Sequence, residues 1–282
     1  MYDEERPYTE VVDEPTQSER KGYWEVASRL QLCDGLLVSD YAQSVGQRYV
    51  EGKISSKTVQ KEISSYYQSE KPGGRQAEAD IVAARITSLL ESSSFILSAG
   101  TLLGIHSFLF SDVLPKEWVG CFRETNLTKP EPVLGGRSLV YADYRSLPAT
   151  VAYDLDNEKR HRYSAVLDDR SIKHFARFIS NVWQSHPFRE GNTRTAAVFS
   201  ELYLRSMGIN VANEMFAQNA QYFRDALVRA SYASIKDGIE ENPTYIEQFY
   251  RAVIRDEKID FSKIDMNVHG IRVNDTPYRN SI

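Results

Sequence analysis

The chain has 282 residues, of which 41% are hydrophobic and 26% charged, an ordinary globular composition with room for one large domain or a domain plus a small module. Cys33 and Cys121 are its only cysteines, which excludes a disulfide framework and any multi-cysteine metal centre and suits a reducing cytosol. No apolar run approaches the roughly 18 residues of a membrane span, and a formal net charge of −5 argues against nucleic acid as the main partner.

Residues 1–20 are acidic and polar, read as a mobile tail rather than a secretory or transit segment. Residues 21–70 form a small helical module with Trp24, Leu30 and Leu32 on its buried side, broken at Asp34-Gly35 and Gly52. "SEKPGGRQ" (69–76) is the linker. Helices are expected around 77–92 and 98–110. Residues 123–143 differ: two extended runs flank Gly135-Gly136, a β-hairpin signal. Helical spacing returns at 171–184 and from Asn192 to Gly208, with further helices at 216–234 and 243–256. No strong period follows Asp260. The class is mostly α with one hairpin.

Residues 186–195, "HPFREGNTRT", carry the chemistry. His186 ends one apolar-faced helix, and Pro187 prevents simple continuation. Gly191-Asn192-Thr193 opens the next, where free N–H groups and the positive end of the helix dipole make an anion nest. Arg194 can add a charge-assisted fork to a phosphate oxygen. Glu190 beside the nest would be repelled by bound phosphate unless a cation lay between, and one carboxylate plus phosphate oxygens and waters is how Mg²⁺ is usually held. His186 can take a proton from a hydroxyl near neutral pH. Phe188 is a core anchor. Each part alone has a plainer reading: a structural histidine, a Glu190–Arg194 surface pair, a simple N-cap. Together they suit attack by a hydroxyl on a phosphate of a Mg²⁺-nucleotide. HExxH and P-loop spacings are absent.

The decade resembles the signature of the Fic (filamentation induced by cAMP) family, and "IHSFLF" (105–110), "WVGCFRETNLTK" (118–129) and "NAQYFRDAL" (219–227) resemble family segments in family order. The resemblance implies a Fic-type helical bundle over 77–235 with a β-hairpin flap, followed by a helical extension and tail over 236–282. It implies transfer of AMP from ATP, with Mg²⁺, to a Ser, Thr or Tyr hydroxyl of a protein, with release of pyrophosphate. His186 would be the general base and Glu190 the metal ligand. Gly191 and Asn192 would line the anion hole, with Thr193 at a position usually Gly or Lys, and Arg194 would neutralise the β-phosphate. Asn219 and Tyr222 would shape the nucleoside pocket. The target would dock on the flap at 127–141, and self-modification through Tyr2 or Tyr8 is open. UMP transfer, kinase-like phosphorylation or a non-catalytic nucleotide-binding module remain the alternatives. A bacterial cytoplasmic location is expected.

Autoinhibited relatives carry a second arginine where this chain has Ala197. "LQLCDG" (30–35), in a module resembling the antitoxin unit of some Fic proteins, looks like a degenerate inhibitory motif with Asp34 in place of Glu. With the shorter Asp34 and no second arginine, the inhibitory ion pair is expected to be absent. "TSLLES" (87–92) is a second candidate, with Glu91, inside a helix.

Overall fold

The computed structural model describes residues 14–69, 74–92, 94–164 and 166–268; Tyr2 and Tyr8 lie outside them. Helix α1 (Gln17–Arg29) starts at a capping box, in which Thr16 accepts from the Glu19 amide and the Glu19 carboxylate accepts from the Thr16 amide. It runs into a 3₁₀ turn, Leu30–Asp34, closed by Gly35 in the left-handed region. Helices α2 (Asp40–Val50) and α3 (Ser56–Ser69) follow. Next come α4 (Gly74–Leu90) and α5 (Ala99–Phe110). After the flap region come α6 (Leu147–Arg160), α7 (Asp169–Ser185) and α8 (Asn192–Ser206). The last are α9 (Asn213–Gln218), α10 (Ala220–Ala230) and α11 (Thr244–Arg255). The mostly helical class is as expected.

One core runs through α1, α4, α5, α7, α8, α10 and α11, and it includes Val26, Ala27, Leu30 and Cys33 from the N-terminal segment. A second cluster joins Trp24 to Val45, Tyr49, Val59 and Ile63 of α2 and α3. The Trp24 ring sits so close to Gly46 that a Cβ there would lie 1.9 Å from Cε2. Leu30 is therefore buried in the main core, Trp24 against α2, and Leu32 is half-buried. Glu91 accepts from the hydroxyls of Tyr49 and Ser56, so it ties α2 and the start of α3 to the end of α4.

The flap departs from the expected hairpin. Among the described residues, 123–143 contain one antiparallel bridge, Glu131–Arg137, around a 3₁₀ turn (Pro132–Leu134), with Gly135 and Gly136 both at positive φ. Pro130 and Pro132 flank Glu131 and have no N–H for a ladder. Side chains hold the segment instead: buried Glu131 pairs with Arg224 of α10 at 2.5 Å, and Lys129 N donates to Ser138 Oγ at 2.9 Å. Helix α6 carries Leu147, Val151 and Leu155 inward, an i, i+4 stripe that the sequence reading left unassigned. The predicted helix at 216–234 is two helices, α9 and α10, broken at Asn219, whose φ of −127° leaves the helical region.

Candidate active site

Helix α7 ends at His186, whose φ of 51° and ψ of 60° are left-handed, an uncommon conformation for a residue with a side chain. A buried arginine holds this corner. Arg123 donates from Nε to the His186 carbonyl at 2.7 Å and from Nη2 to Ser185 O at 3.3 Å. It also donates to Thr125 O at 2.6 Å and Ala142 O at 2.5 Å on the two arms of the flap. One guanidinium thus fastens the flap to the main chain of the His186 corner. The His186 ring stacks on Tyr141 of the flap at 4.0 Å and meets Trp183 edge-on at 5.5 Å. Its Nδ1 is buried without a partner. Burial, then the positive charge of Lys129, push its pKa down to about 3, so the ring is neutral and able to accept a proton.

The loop beyond it is built from inside. Phe188 stacks on His106 of α5 at 3.8 Å. His106 accepts the Gly120 amide at Nδ1, so Nε2 carries the proton it shares with Glu190 O at 3.1 Å. The Asn192 side chain accepts from Phe188 N at 2.9 Å and donates to Phe188 O at 2.8 Å; it shapes the loop rather than reaching into the cleft. Gly191 sits at φ 75°, with Phe110 so close that a Cβ would meet its ring at 2.4 Å. Trp183 Nε1 donates to Thr193 Oγ1 at 3.0 Å, so the β-branched residue is accommodated by a buried indole. No side chain caps the N-terminus of α8. The result is a cleft of about 290 Å³ bordered by His186, Glu190, Gly191, Asn192 and Thr193, with Lys129 and Tyr141 from the flap and Asp34 from the N-terminal turn. A hollow of about 310 Å³ between α3, α4 and the end of α5 has no such nest.

Asp34 corrects an expectation. Its carboxylate reaches the motif's own arginine, with Oδ2 2.8 Å from Arg194 Nε. The contact is close but poorly aligned, since neither atom has a hydrogen-bond partner; it is a Coulombic pair. Arg194 is fully buried and also holds Glu78 of α4 at 2.6 Å and Gln31 at 3.1 Å, with its guanidinium over the Phe110 ring. Burial raises the Asp34 carboxyl, but Arg194, Lys129 and Arg224 outweigh it and hold it below its ordinary value. An ion pair therefore forms without the second arginine, at the nest itself. Ala197 is buried in the core.

Two expected residues lie elsewhere. Tyr222 is buried between α10 and α11, donating to Tyr245 O at 3.2 Å and packed on Phe261. Asn219 donates to Met215 O. Neither borders the cleft. Arg123, Lys129, Tyr141, Gln31 and Glu78 were not singled out in the sequence, and of these only Glu78 lies outside the stretches quoted for the resemblance, the flap or the Asp34 motif.

The family model for the Fic/DOC family matches residues 96–204. Among solved structures, the fold is similar to a Fic family protein from Desulfovibrio desulfuricans G20 (TM-score 0.51, 13% identity, 84% of this chain and 65% of that one). The chain thus spans just under two thirds of that protein. Weaker likenesses are to a Fic domain containing signaling protein from Bacteroides thetaiotaomicron VPI-5482 (TM-score 0.46, 16% identity, 84% of this chain and 85% of that one). Another is to the VirB-translocated effector BepC of Bartonella tribocorum with bound AMPPNP (TM-score 0.40, 18% identity, 56% of this chain and 74% of that one). No curated protein matches the chain.

Proposed function

We propose that this chain transfers AMP from ATP to a Ser, Thr or Tyr hydroxyl of a protein, a reading supported by the match of residues 96–204 to the model of the Fic/DOC family, which the resemblance of the signature decade associates with transfer of a nucleoside monophosphate to proteins. The observation that carries the reading is the pairing of a neutral His186 with the uncapped N-terminus of α8 across one cleft. His186 takes the hydroxyl proton as the oxygen attacks the α-phosphate and the bond to pyrophosphate breaks. The amides at 192 and 193 receive the charge that gathers on the α-phosphate oxygens. Glu190 keeps one carboxylate oxygen on the Gly191 amide at 3.2 Å, and its other oxygen would be the ligand for Mg²⁺. Among the described residues no cluster of three or more His, Cys, Asp or Glu could hold a metal. A single carboxylate therefore fits an ion carried in mostly by phosphates and water. Mg²⁺ would supply charge neutralisation at those phosphates.

The partner is a protein segment laid along 127–141. Val140 there is 85% exposed, and the flap has no long ladder of its own, which leaves main-chain groups for an added strand. The expected location is the bacterial cytoplasm; among the described residues no helix is long and apolar enough to cross a membrane.

The test is intact-mass spectrometry of wild-type and Asp34→Ala protein with Mg²⁺-ATP and cell lysate, beside His186→Ala. An AMP-sized gain on the protein or a lysate target, lost with His186→Ala, is expected. A phosphate-sized gain would replace the reading with phosphorylation, and no gain under any condition would sink it.

The pH dependence is a separate check. With the His186 pKa lowered from its ordinary value to about 3, the base form persists far below neutrality. The kcat/KM profile, which reports the free enzyme, is expected to show no loss centred near 6.5 as pH falls from 8 to 5. An acid limb at 6–7 would contradict this environment for the ring.

A further inference from the structure

We propose that Lys129, on the flap, is a binding residue for the donor's phosphates, closing the nest from the side opposite α8. This rests on the nucleotide reading above and extends it to a residue outside the signature decade.

The protein's own anion marks the place. The Asp34 carboxylate lies at the nest between two cations, with Oδ2 2.8 Å from Arg194 Nε and Oδ1 3.7 Å from Lys129 Nζ. A phosphate entering the nest displaces that carboxylate and inherits both neighbours. They are unequal. Arg194 is fully buried and stays bound to Glu78 and Gln31, so much of its charge is already neutralised. Lys129 has a side chain 42% exposed and no ion-pair partner within 4 Å among the described residues other than Asp34; Glu131, which also feels its charge, is itself paired with Arg224, so most of the Lys129 charge is released when Asp34 leaves. The third cation, Arg189, also borders the cleft, but its guanidinium lies over the Trp118 ring at 4.4 Å.

The segment is built to hold this residue in place while leaving its ammonium free. The Lys129 amide is fixed on Ser138 Oγ at 2.9 Å, and two residues on, Glu131 is locked to Arg224 at 2.5 Å in a buried pair. The four-carbon stem projects from that anchored root, and an ammonium on a flexible stem can follow a phosphate as it changes geometry. The flap would then have two roles on its two sides: main-chain pairing with the target outward, charge toward the donor inward.

The experiment uses the full chain in the Asp34→Ala background, so that the nest is open, and measures calorimetric binding of Mg²⁺-ATP, inorganic pyrophosphate and adenosine. Lys129→Met is expected to weaken ATP and pyrophosphate by about tenfold or more, the scale of one charge-assisted contact, with adenosine unchanged and Lys129→Arg restoring most of the loss. ATP and pyrophosphate binding equal to that of the Lys129 chain overturns the proposal. So does a parallel loss of adenosine, which would mean a disturbed flap. If ATP fails to bind even with Lys129 intact, the nucleotide reading fails and this inference falls with it. The side chain is 42% exposed, and unchanged thermal melts of the variants check that the fold is intact.

Discussion

Asp34→Ala is expected to raise Mg²⁺-ATP affinity, and with it AMP transfer at subsaturating ATP, by about ten- to a hundredfold, equivalent to about 1.4–2.8 kcal/mol. On the proposed function a phosphate that reaches Arg194 and Lys129 competes with the Asp34 carboxylate, which borders the cleft and is held there by both cations. A fully buried pair is hard to break from one side. This pair is misaligned at Arg194 and reaches Lys129 only at 3.7 Å, which keeps the barrier within reach of a triphosphate. The measurement is ATP titration by calorimetry, followed by the rate of adduct formation. Equal affinity in both proteins would mean that Asp34 moves aside at no cost. The substitution removes an anion and leaves Glu78 on Arg194, so the motif arginine keeps a buried partner.

Arg194→Ala has the largest expected effect on stability, a loss of about 3–5 kcal/mol, because it takes the nearest cation from two buried carboxylates, Asp34 and Glu78, and leaves them only Lys129 at 3.7 Å and Arg75 at 3.9 Å. Urea melts would read it. The sign with pH follows from the stranded acids. Without the guanidinium, burial raises the Asp34 carboxyl, so it takes up a proton more readily than in the unfolded chain. The penalty is then full near pH 7 and shrinks as pH falls toward that raised value. Adding Asp34→Ala to Arg194→Ala is expected to recover part of the loss, since the residues share one network. A loss below about 1 kcal/mol would mean that the network contributes little to holding the N-terminal turn.

The helices were legible where one face is apolar at three- and four-residue steps. Ile172, Phe175, Phe178, Ile179 and Val182 mark α7. Asn192 to Ser206 reads as α8 because of the Gly-Asn start and the glycine just past its end. The loop between them was legible because its chemistry is local: His186, Glu190 and Gly191 lie within six positions and border one cleft. The flap misled, since Gly135-Gly136 signals a hairpin while Pro130 and Pro132 remove the donors that would make one. Asp34 was found, but its partner was not. A missing arginine at 197 said nothing of an arginine at 194 that meets Asp34 through a contact 160 positions away in sequence. Glu78 and Gln31 carry no local signal; only the packing of α4 and the N-terminal turn against α8 brings them together.

The N-terminal helix has a consequence for how far Asp34 can be studied apart from the cleft. Val26, Ala27, Leu30 and Cys33 lie in the same core as the helices that carry the cleft, and Tyr23 is bonded to Arg205 of α8 at 3.0 Å. Removing residues 1–70 would therefore open that shared interior as well as take Asp34 away from Arg194. A change in activity after such a cut would mix the two effects, whereas a point substitution at Asp34 leaves Leu30 and Cys33 in place. The side chain that faces the nest is carried by a segment on which the rest of the fold is packed.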